Sequence, residues 1–123
     1  MKITEDNNSG GLIITGYGEG FISVNEVTYQ QSLIITPGKL VTNWTASEPE
    51  DLTLKNLQQL KNWQPEIVII GTGKKQIFPE SEVMFWFLSQ GMGFEVMDSA
   101  AACRTYSILI SENRTVVAAL LLP

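Results

Sequence analysis

The chain has 123 residues, 44% of them hydrophobic, and 8 Lys+Arg against 13 Asp+Glu give a formal net charge of -5. That length suits one domain with one main core. The absence of His excludes a Ser-His-Asp triad, a Cys-His dyad and a His-based metal site. A single Cys excludes an internal disulfide and a Cys-cluster zinc site, and a pI near 4.6 speaks against nucleic acid, which needs a basic footprint.

Residues 1–10 are polar and acidic, with Glu5 and Asp6 where a secretory signal would be apolar, so they read as a tail ahead of a domain over residues 11–123. From there to about residue 45 the pattern is a meander of short strands. Leu12–Thr15 is a β-prone run broken by Gly16-Tyr17-Gly18-Glu19-Gly20; Phe21–Val24 resumes it, and Asn25-Glu26 turns it into Val27–Tyr29. Ser32–Thr36 is stopped by Pro37-Gly38, and Leu40–Trp44 closes the set. The G-x-G-x-G spacing is not that of a dinucleotide loop, and strands follow it, so it reads as a hairpin turn.

After Glu48–Asp51 the period changes. Leu54, Leu57 and Leu60 fall on one face of a helix that Asp51 or Thr53 can cap and Pro65 ends. Ile67–Ile70 is a continuous apolar run, as in a strand buried on both faces. A second helix is predicted from Pro79-Glu80 to Gln90, with Gly91 as its stop. Phe94–Met97 is a strand, a third helix runs from Ser99 to Ile110, and Thr115–Leu122 is the last strand. The expected fold is α/β: one three-layer domain with a central mixed sheet, an N-terminal β-meander and strand-helix-strand-helix-strand crossovers. The longest apolar runs, Val83–Leu88 and Val116–Leu122, are far short of the ~20 residues that span a bilayer. A cytoplasmic chain without membrane insertion is expected.

Two segments gather chemistry. Gly71-Thr72-Gly73 follows the buried strand Ile67–Ile70, at the strand end where ligands of open α/β sheets sit. Asp98 and Ser99 lie between a strand end and a helix start. If the two strands are neighbours, a carboxylate, two hydroxyls and backbone amides surround one crevice. Arg104 either reaches that crevice or pairs with Asp98 or Glu112. The alternative is a capped helix with a structural ion pair. Cys103, one turn inside the helix and without a His partner, reads as a core residue. Val83–Leu88 is apolar to every side of its helix, so either both sides are covered or Phe85 and Trp86 form part of a partner surface, with Trp86 as the anchor.

Gly71-Thr72-Gly73, then Met97-Asp98-Ser99-Ala100-Ala101-Ala102-Cys103-Arg104-Thr105-Tyr106, then Glu112-Asn113-Arg114-Thr115-Val116-Val117-Ala118-Ala119 carry a resemblance over nearly the whole chain. It resembles a bacterial and archaeal family of domains of unknown function, whose eukaryotic relatives include the mitochondrial complex I assembly factor 3 and an adipogenesis-associated protein. The resemblance implies a three-layer α/β domain and no established enzyme activity. The family's usual Thr is here Ser99, which keeps a hydroxyl, and its usual Asn is here Ser107, which loses an amide.

The first reading of function is therefore a non-enzymatic protein-interaction or assembly-factor-like module, with no catalytic residues, metal or cofactor. An unidentified protein, or a weakly bound second copy of the chain, is the expected partner. The second reading is a small-molecule binder or enzyme that uses Gly71, Thr72, Gly73, Asp98, Ser99 and Arg104.

Overall fold

The computed structural model describes residues 11–123; the expected polar tail over residues 1–10 lies outside them. Among the described residues five strands precede the helices: β1 (Ile14–Gly18), β2 (Phe21–Val24), β3 (Val27–Tyr29), β4 (Leu33–Thr36) and β5 (Lys39–Val41). Then come a 3-10 turn at Pro49–Asp51, α1 (Leu54–Leu57) running into a 3-10 helix at Gln58–Trp63, and β6 (Ile67–Gly71). The chain continues through α2 (Ser81–Ser89), β7 (Gly93–Met97), α3 (Ser99–Ser111) and β8 (Val116–Leu120).

The strands form two sheets. β1, β2 and β3 make an antiparallel sheet of three, and the second sheet has the order β5-β4-β8-β6-β7. Within it β6 runs parallel to both β7 and β8, whereas β4 is antiparallel to β5 and β8. The expected single meander is thus divided. The physical reason is burial: Leu33, Ile34 and Ile35 are all fully buried, which requires cover on both faces. In β2, by contrast, only Ile22 and Val24 are buried, the alternation of a strand with one covered face.

The central sheet separates two cores, and the pleat assigns residues between them. Ile34, Val68, Ile70, Val117 and Ala119 face a core shared with Leu57, Leu60, Val83 and Phe87. Leu33, Ile35, Ile69, Val116, Ala118 and Leu120 face the other, shared with Ile22 and Val24 of β2 and Ala102, Cys103 and Tyr106 of α3. The three layers are therefore α1–α2, the five-stranded sheet, and α3 with the three-stranded sheet.

Several boundaries differ from expectation for local reasons. Gly16 does not break β1; the strand runs through Gly18, with a pairing irregularity between Ile14 and Gly16, and only Glu19-Gly20 turns. Asn25-Glu26 is the expected two-residue turn, both residues having positive φ. The helix expected between a cap at Asp51 or Thr53 and a stop at Pro65 changes character after Leu57: it continues as a 3-10 helix over Gln58–Trp63 and ends at Gln64, whose backbone is left-handed. Thr53 caps α1, and Asp51 instead accepts the Ser47 and Glu48 amides, which hold its carboxyl below the usual carboxylate range.

Candidate functional site

β6, β7 and β8 end side by side, so Gly71-Thr72-Gly73 and Asp98-Ser99 meet at one edge of the central sheet. The two segments are bonded directly: the Ser99 amide donates to the Gly73 carbonyl at 2.8 Å, and the Gly73 amide donates to Ser99 Oγ at 2.8 Å. A Cβ on Gly71 would lie 2.9 Å from both Ser99 Oγ and Leu120 Cδ2, so glycine is what permits the close approach. Thr72 Oγ1 donates to the Lys75 carbonyl and accepts the Ile77 amide at 3.1 Å. Asp98 caps α3, its Oδ1 accepting the Ala101 amide at 2.9 Å. Thr72 and Ser99 are buried. The structure brings five of the six crevice residues together, and their hydroxyls are engaged in tying the strand ends to each other.

Arg104 goes elsewhere. Its Nη1 donates to Tyr17 Oη at 2.8 Å, with the guanidinium 6.0 Å from the Tyr17 ring centre, and it forms no ion pair with Asp98 or Glu112. The Tyr17 hydrogen bond favours the charged guanidinium and raises its pKa. Tyr17 belongs to the glycine-rich segment read from sequence as a turn, and no local pattern links it to a residue 87 positions later.

Two shallow clefts flank the Gly73-Lys74 loop. One, of about 430 Å³, is bounded by Tyr17, Glu19, Lys74, Asp98, Ala100 and Pro123. The other, of about 290 Å³, lies between Ser47–Pro49 and Thr72–Lys75. Lys74 and Glu19 form an exposed ion pair at 3.1 Å on the rim of the first. Cys103 offers no nucleophile: burial pushes its thiol up to about 12, and it lies in the core beneath α3. Tyr106 is buried beside it, its phenol raised by desolvation and donating to the Leu12 carbonyl at 3.0 Å. Among the described residues no three acids or Cys cluster as metal ligands.

The other candidate surface is α2. Val83 and Phe87 are buried, and Phe87 stacks on Phe94. Trp86 is half-buried; its ring meets Phe87 edge-on at 4.9 Å and packs against the core. Phe85 is 61% exposed and Leu88 49%, and the loop before the helix leaves Phe78 70% exposed. The outward aromatic residue is thus Phe85, and Trp86, taken from sequence as the anchor, has its ring drawn towards the core. No described helix is long and apolar enough to cross a membrane.

Residues 14–121 match the family described as protein of unknown function (DUF498/DUF598). The chain belongs to that family. Within reach of this DUF498/DUF598 chain is the 13 kDa major membrane protein of Francisella tularensis subsp. holarctica (strain LVS), 27% identical over 117 residues, covering 94% of this chain and 95% of that protein. The NADH dehydrogenase [ubiquinone] 1 alpha subcomplex assembly factor 3 of Xenopus tropicalis is 27% identical over 124 residues, covering 99% of this chain and 67% of that protein. A crystal structure of a Bordetella parapertussis protein superposes with a TM-score of 0.88 at 37% identity, covering 95% of this chain and all of that one.

Proposed function

We propose that this DUF498/DUF598 domain is a non-enzymatic, cytoplasmic interaction module of the assembly-factor kind, which engages another protein through the outer face of α2 and the adjoining Ile77-Phe78. The observation that carries the reading is a contrast. The Thr72 and Ser99 hydroxyls and the Asp98 carboxylate are bonded to backbone groups of the loop and of the start of α3, while Phe78, Phe85 and Leu88 stand in water on neighbouring parts of the chain. Exposed apolar surface of that kind marks partner sites. The assembly factor named among the relatives supports the same class of role.

The test is quantitative affinity capture from the native cell, comparing the wild type with Phe85→Ser and with Ile108→Ser, an equally exposed apolar residue on α3. A partner captured near stoichiometry, lost with Phe85→Ser and kept with Ile108→Ser, is expected. A partner set that is indifferent to Phe85→Ser contradicts the reading. Recovery in the membrane fraction after high-salt washing contradicts the cytoplasmic placement. A small-molecule reading rests on one observation, the 430 Å³ cleft at the carboxyl ends of the parallel strands, with Asp98, Lys74 and Tyr17 on its walls.

A further inference from the structure

We draw no further inference here: the strongest candidate, the cleft of about 430 Å³ between the β1–β2 turn, the Gly73-Lys74 loop and the start of α3, belongs to the site already described, where Lys74 is paired with Glu19 and Asp98 caps α3, and nothing on its walls singles out a class of ligand.

Discussion

Ser99 has no exposed surface, and its hydroxyl oxygen is the partner of the Gly73 amide. Ser99→Ala strands that N–H in a site without water and is expected to cost about 1–3 kcal/mol. Asp98→Ala removes a half-exposed cap and should cost about 0.5–2 kcal/mol, with Asp98→Asn costing a fraction of that, because an amide oxygen still accepts the Ala101 amide. Urea melts of the three variants give the order; a neutral Ser99→Ala, or Asp98→Asn as damaging as Asp98→Ala, contradicts the capping account. The proximity of these residues was legible in the sequence only on the condition that the two strands are neighbours, a condition that the pairing of β6 with β7 meets. The use of their hydroxyls was not, because it depends on the path of a loop that turns at Gly73 with φ +99. Arg104 was illegible for a related reason: its partner Tyr17 arrives from the other sheet.

At the scale of the element, α2 separates two aromatic neighbours by one step of rotation. Trp86→Ala removes a ring packed against Phe87 and the core and should destabilise by about 2–3 kcal/mol, less than for a wholly buried Trp. Phe85→Ala should shift stability by less than about 0.5 kcal/mol. Thermal melts of the two variants make the comparison, and equal losses would place both rings in the core. Composition showed that Val83–Leu88 was apolar on all sides but not which side the sheet would take, since that depends on how the helix is rotated over β7. The helix after Asp51 carries a similar lesson. Leucines three apart mark one face of an α-helix and of a 3-10 helix alike, so the burial of both Leu57 and Leu60 fits either winding and the spacing could not tell them apart.

For the whole molecule, the buried thiol and phenol set the alkaline limit of stability. An unfolded Cys ionises near pH 8.5, whereas folded Cys103 holds its proton to about 12. Above about pH 8.5 the unfolded chain therefore binds fewer protons than the folded one, and stability falls as pH rises, by at most about 1.4 kcal/mol per pH unit. Tyr106 adds a loss of the same sign from about pH 10. Unfolding free energies at pH 8, 9 and 10, compared between wild type and Cys103→Ala, should show a decline in the former and a flatter profile in the latter; parallel slopes would mean that the thiol is not the source. The layering itself was readable from apolar periodicity, because alternation and continuous burial distinguish a strand with one covered face from a strand with two. The strand order was less so, since β4 and β8 are joined across more than half of the chain. That order has a consequence for synthesis. β8 leaves the ribosome after all the other strands, yet it occupies the middle of the central sheet, between β4 and β6. Until it emerges, β5-β4 and β6-β7 are two separate ribbons with unpaired inner edges and half-built cores on both sides. The nascent domain must then stay open, dependent on chaperones or on its own acidity for solubility, and close in one late step when Val116–Leu120 slides between them.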